Sequence, residues 1–260
     1  MVCPICGSKP ALWRYHGQTP ILRCTDRKCG FRFFDLARWQ PPHANADYYA
    51  EWRPAPVAES LPWIRDRVDT VQRLKPHGAL AELGCGIGET AIAFQKAGYQ
   101  VAAVEESEKA ISFLRRHYPA IDWHNGDVLN FLASRRDAFD IVTMYHVLEH
   151  IPYPKHAVEQ MVRALRPNGL IVVEVPDTSG GWARLKGPRW EYYLDHHVNY
   201  FDLKSLQRLF AGQGYCLAAV RKNYHFSYPQ GDVVKDLVKG TLGRIGLNSI
   251  IRTAWIAERA

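Results

Sequence analysis

Ala79-Leu80-Ala81-Glu82-Leu83-Gly84-Cys85-Gly86-Ile87-Gly88 is the stretch on which the fold turns. Its first five residues read as a short apolar strand, and a helix is expected over residues 90–97, closed by Gly98. Between them, three glycines at alternate positions let the backbone turn sharply and approach a ligand with no Cβ in the way. Open α/β sheets bind ligands at the carboxyl edge of their strands, where this turn lies. The spacing is G-x-G-x-G with an acid before it, whereas a dinucleotide loop has G-x-G-x-x-G.

Downstream the same alternation continues. Strands are expected at 100–104, 121–124, 140–144 and 170–175, with helices at 108–117 and 154–165, the latter ended by Pro167-Asn168-Gly169. A helix at 203–211, a strand at 215–221 and a last strand at 250–257 follow, leaving a partly helical insertion near 222–249. Near-continuous apolar strands alternating with helices predict an α/β fold, a doubly wound, mostly parallel sheet of seven strands over residues 79–260. Upstream, a helix over 61–74 carries Trp63, Ile64, Val68, Val71 and Leu74 on one face. Residues 40–78 thus form a Pro-rich linker and leading helix, with Tyr48, Tyr49 and Trp52 as candidates either for a lid or for anchoring the linker.

Residues 1–39 read as a small ribbon of their own. Cys3-x2-Cys6 and Cys24-x4-Cys29 are each followed by a turn glycine, Gly7 and Gly30, with strand-like stretches at 12–15, 21–23 and 31–34. Two such turns can complete a tetrahedron of thiolates, which suits a closed structural Zn2+ site; disulfides or free buried thiols are the alternative, and disulfides are disfavoured inside cells. Cys85 and Cys216 lack nearby partners and read as small apolar residues.

Composition sets outer limits. At 260 residues, 47% hydrophobic and 23% charged, the chain is ordinary globular protein and neither disordered nor fibrous. No membrane span or leader segment is legible, so a cytoplasmic protein without a membrane partner is expected. The net charge of +7 is uneven: residues 1–40 carry 7 Lys/Arg against 2 Asp/Glu and residues 221–260 carry 7 against 3, whereas residues 41–220 carry 19 against 21. Basic ends with a near-neutral middle leave nucleic acid open as a partner without arguing for it. Nothing in the sequence speaks to the oligomeric state.

Glu82-x-Gly84-x-Gly86-x-Gly88 resembles the cofactor loop of class I S-adenosylmethionine-dependent methyltransferases. The resemblance spans about residues 79–222. It implies that Glu105, ending the second strand of the sheet, accepts hydrogen bonds from the ribose hydroxyls, and that Asp127, in Asn125-Gly126-Asp127-Val128, lies at the adenine amino group. Tyr145 joins Glu82, Gly84, Gly86, Gly88, Glu105 and Asp127 in the expected cofactor set. His146-Val147-Leu148-Glu149-His150 and Leu165-Arg166-Pro167-Asn168-Gly169 are similar to segments of the small-molecule branch, as is Trp190-Glu191-Tyr192-Tyr193-Leu194-Asp195-His196-His197. Departures from the pattern are Glu in place of Asp at position 105, and Asn168 in place of a glycine, a residue that also tolerates φ > 0.

Methyl transfer from a sulfonium is an in-line displacement, so the protein aligns an acceptor and, where needed, removes its proton. His146, His150, His196 and His197 are the candidate bases, with loop bracing as the alternative role for His150 and His197. A metal site from His146, His150 and His196 is disfavoured, because their spacing imitates no known chelate. The expected acceptor is a hydroxyl of a sugar or secondary metabolite. The alternative is an rRNA or tRNA base held by the ribbon, although no Asn/Asp-Pro-Pro-Tyr motif is present.

Overall fold

A computed structural model describes residues 1–40, 61–223 and 247–258. Tyr48, Tyr49 and Trp52, and most of the insertion expected near 222–249, lie outside the described residues. The described residues form two compact units: residues 1–40, 146–158, 173–223 and 247–258, and residues 61–145 and 159–172.

The ribbon contributes β1 (Pro10–His16), β2 (Thr19–Cys24) and β3 (Arg32–Phe34), paired antiparallel in that order. Next come α1 (Pro62–Leu74), β4 (Ala79–Leu83), α2 (Glu89–Lys96), β5 (Gln100–Glu105), α3 (Glu108–His117), β6 (Asp122–Asn125), α4 (Val128–Ala133) and β7 (Phe139–Tyr145). A short 3-10 turn, Leu148–His150, leads to α5 (Pro154–Ala164), β8 (Leu165–Pro176), α6 (Gly181–Lys186), β9 (Asn199–Tyr200), α7 (Leu203–Ala211), β10 (Tyr215–Asn223) and β11 (Ile250–Ala257).

Seven strands make one sheet in the order β10-β11-β8-β7-β4-β5-β6. The β4–β5, β4–β7 and β5–β6 pairs are parallel, and β10–β11 is antiparallel. The chain first winds outward from β4 to β6 and then returns to the other side of β4 with β7. That reversal is the switch point at which such sheets bind ligands. Leu80, Ala81 and Leu83 of β4 are fully buried, as a strand covered on both faces requires. Across the β4–β7 pair Leu83 faces Met144, so Gly84 and Tyr145 leave the sheet side by side.

Local chemistry explains the element boundaries. Pro62 opens α1, where its missing N–H costs nothing. Ser107 caps α3, accepting from Ala110 N at 3.3 Å, and Asp202 caps α7 through a capping box with Ser205. Gly88 is the left-handed N-cap of α2 at φ +83°; a Cβ there would stand 2.6 Å from Leu114 Cδ2 and 2.9 Å from Trp123 Cη2. The fifth strand of the main sheet departs from expectation. β8 starts at Leu165, not beyond Gly169, because Arg166 pairs with Asp140 Oδ2 at 2.8 Å and Lys75 Nζ bonds Asn168 O at 3.0 Å. These contacts hold the exposed segment extended while Asn168 adopts φ +61°.

An element with no sequence expectation completes the ribbon sheet of the first unit. Asn199–Tyr200 adds a fourth strand to the ribbon, with Arg32 opposite Tyr200 and Phe33 opposite Asn199. Around this join Ile21, Phe34, Trp190, Tyr193, Val198 and Tyr200 form a buried cluster. Among the described residues, no helix is long and apolar enough to cross a membrane.

Candidate active site

The glycine turn forms as its spacing requires: Gly84, Gly86 and Gly88 all take positive φ, at +70°, +56° and +83°. Glu105, at the end of β5, fixes the turn. Its Oε2 accepts from Gly86 N at 3.0 Å and its Oε1 from Ser107 N at 3.1 Å. Each oxygen therefore keeps a lone pair, in a half-buried position, for a further donor such as a ribose hydroxyl. Asn125 Nδ2 bonds Glu105 O at 3.1 Å and Gly126 N bonds the same oxygen at 3.0 Å, joining the ends of β5 and β6. Asp127, next in the chain, is half-buried and caps α4 through Asn130 N at 2.8 Å. One carboxylate oxygen is thus committed to the helix, and the other remains for a ligand.

Glu82 and Tyr145 sit differently from the loop residues. Glu82 is buried, and burial raises its carboxyl to about 8, with the Arg67 guanidinium opposing and Glu89 adding to the rise. Arg67 stacks on the Tyr145 ring at 4.2 Å and on Trp63 at 4.6 Å, and donates to Thr90 Oγ1 at 3.2 Å. This polar group beneath the turn includes a residue that sequence reading missed. The signal was there: Arg67 falls among the buried positions Ile64, Val68 and Val71 of α1.

The histidines belong to the first unit. His146, directly after β7, takes φ +57°, an uncommon conformation for a residue with a Cβ. Its backbone N bonds Glu174 O at 2.9 Å; its ring pairs through Nδ1 with Glu149 and through Nε2 with Glu174, both at 3.4 Å. Burial alone would lower this imidazole, but the two carboxylates outweigh it and raise it to about 9. His146 is therefore a cation with a proton on each nitrogen, and has no lone pair with which to act as a base. Glu174 is held in turn by Arg252, 1% exposed, through Nε at 2.7 Å and Nη2 at 2.6 Å. The sequence reading missed Glu174 and Arg252, although an acid within Leu170-Ile171-Val172-Val173-Glu174-Val175 is a visible exception in a buried strand.

His150, His196 and His197 come together apart from His146. Their ring centroids are 4.7–5.2 Å apart. His150 Nδ1 donates to His196 O at 3.0 Å and His197 Nδ1 to Tyr192 O at 2.9 Å, since a carbonyl can only accept. Burial lowers His197 to about 4, so it is neutral at neutral pH.

In the ribbon all four cysteines converge. Their sulfurs lie within 4.8 Å of one another, with Cys3–Cys29 at 3.8 Å and Cys6–Cys24 at 3.4 Å. A tetrahedral ion with metal–sulfur bonds of about 2.3 Å has sulfur–sulfur edges of about 3.8 Å. Neither pair is at disulfide length. Gly7 and Gly30 close the two turns at φ +74° and +62°.

Residues 49–220 match the family described as Methyltransferase domain. The chain is similar to the ubiquinone biosynthesis O-methyltransferase of Aromatoleum aromaticum, 32% identical over 145 residues, which are 54% of this chain and 58% of the relative. The corresponding enzyme of Thiobacillus denitrificans is 28% identical, over 54% of this chain and 59% of its own. The chain thus spans under two thirds of these relatives. Among solved structures, a methyltransferase from Archaeoglobus fulgidus superposes with a TM-score of 0.54 at 15% identity, covering 74% of this chain and 94% of its own. The [4+2]-cyclase SpnF does so at 0.55 and 15%, covering 75% and 81%. At such identities the superpositions speak for fold alone. With two thirds of its length matched and the glycine turn and strand-end acids in their places, this chain belongs to the class I S-adenosylmethionine-dependent methyltransferases.

Proposed function

We propose that the protein transfers a methyl group to a hydroxyl of a small molecule, a sugar or a secondary metabolite. The observation that carries the cofactor half of this reading is Glu105, whose two oxygens are each oriented by one backbone N–H and each retain a lone pair. S-adenosylmethionine, when bound, supplies an electrophilic methyl group on a sulfonium. Gly84, Gly86 and Gly88 admit the cofactor close to the backbone, Glu105 accepts from the ribose hydroxyls, and the second oxygen of Asp127 accepts from the adenine amino group. Of the histidines, His150, His196 and His197 stay the candidate bases for the acceptor proton, and the doubly paired His146 does not.

Two observations favour a small acceptor over RNA. The relatives from Aromatoleum aromaticum and Thiobacillus denitrificans are named O-methyltransferases. In addition, part of the ribbon's positive charge is turned inward: Arg14 stacks on Tyr193 at 3.6 Å and Arg32 on Trp13 at 4.6 Å. Burial lowers the Arg32 guanidinium, and the Nε of each arginine is buried and donates no hydrogen bond among the described residues. We assign the four sulfurs to one Zn2+ that holds the ribbon turns together.

The test uses cofactor labelled in its methyl group, with a small-molecule extract and total RNA from the same cells. The expected label is nuclease-resistant and of low mass, and survives base treatment that cleaves esters. Label in the RNA would replace this acceptor with the ribosomal or transfer RNA alternative.

A further inference from the structure

Three imidazoles from two loops meet where no chelate spacing exists in the sequence. His150 ends the 3-10 turn after β7, while His196 and His197 precede β9. One ligating atom from each lies within 4.8 Å of the other two. A tetrahedral ion with metal–nitrogen bonds of about 2.0–2.1 Å needs edges of roughly 3.3 Å, so side-chain rotations moving each nitrogen by under ~1 Å would close the set. His150 and His197 are already prepared for this. Each donates Nδ1–H to a backbone carbonyl, which fixes the tautomer and leaves Nε2 with its lone pair. Metal-binding histidines are oriented by this kind of second contact.

A second observation concerns the carboxyl group next to His150 in the chain. Glu149 is 1% exposed. Among the described residues neither of its oxygens receives a hydrogen bond of ordinary geometry. The His146 cation 3.4 Å away is already shared with Glu174.

We infer that His150, His196 and His197 form a binding site for one divalent transition-metal ion of the zinc type, distinct from the cysteine site of the ribbon. Three neutral nitrogens suit Zn2+ or Co2+ and leave one tetrahedral position open, the arrangement of reactive rather than structural zinc. His196 is exposed, so the set is reachable from solvent. The inference stands on the imidazole geometry and not on the identity of the acceptor.

The experiment counts metal. Full-length wild type and the variants H196Q and H150Q/H196Q are equilibrated with micromolar Zn2+, desalted and assayed for zinc per chain; a thermal melt confirms that each is folded. The expected result is one ion fewer per chain in the double variant, with zinc affinity at this site weakened by on the order of a hundred-fold in H196Q. Because H196Q alters an exposed side chain, it reports even where the double variant fails to fold. The count is a difference, so it is independent of whether the ribbon holds its own ion. Co2+ loading adds a second readout: thiolate-to-cobalt absorption must stay unchanged while the bound cobalt falls. Equal metal content and affinity in wild type and H196Q would overturn the site and leave the three histidines as loop braces.

Discussion

His146 shows how a residue that looks catalytic in sequence acquires another role through its neighbours. Its proton is held by Glu149 and Glu174 up to about pH 9, against 6.5 for a free imidazole. A folded-state value above the unfolded one stabilises fully below pH 6.5, and that contribution is lost as pH rises through 9. Wild type should therefore lose thermal stability between pH 6.5 and 9 more steeply than H146Q. Glu82, raised to about 8, also favours the folded state less as pH climbs from 4.5, but equally in both proteins. Parallel melting-temperature profiles would contradict the paired imidazolium. Gly88 gives a second test at this scale: G88A places a methyl against Leu114 and Trp123 at positive φ. Overpacking of about 1–3 kcal/mol and a left-handed penalty of about 1–2 kcal/mol should both appear in denaturant unfolding. Glycine and cysteine spacing made the turn and the four-sulfur cluster legible, because those requirements are local. The partners of His146 were not legible, since Glu174 and Arg252 reach it only through the pairing of distant strands.

Elements show the same division. Strands β4 to β7 and the helices α2, α3 and α5 could be read from apolar runs and helix stop signals, each contained in one short window, whereas α4, six residues long, had no sequence expectation. The join of Asn199–Tyr200 to the ribbon could not, because a two-residue strand has no periodicity to read. Nor could the start of β8, which depends on Asp140 and Lys75. The ribbon is the element whose integrity rests most on chemistry outside its hydrogen bonds. Its four sulfurs are already at the spacing of a tetrahedral ion, and in small modules metal binding contributes directly to folding. Chelation should therefore increase alkylation of Cys6, the half-buried sulfur of the four, and C6S/C29S should lose the ribbon's ion. Mass-spectrometric footprinting that finds Cys6 equally reactive with and without chelator would refute a metal-held ribbon.

For the molecule as a whole, a seven-stranded sheet with its reversal between β4 and β7 brings the glycine turn and the ends of β5 and β6 to one sheet edge. Glu105 links that architecture to chemistry, since it both braces the turn and offers its remaining lone pairs outward. The most direct measurement is calorimetric titration of S-adenosylmethionine into wild type and E105A, with circular dichroism confirming that the variant is folded. Removing an ionised acceptor from two hydroxyl donors costs about 1.5–3 kcal/mol, so E105A should bind roughly ten- to a hundred-fold more weakly. Equal affinity in the two proteins, or no binding by folded wild type, would contradict the assignment of this turn and its acid to the cofactor.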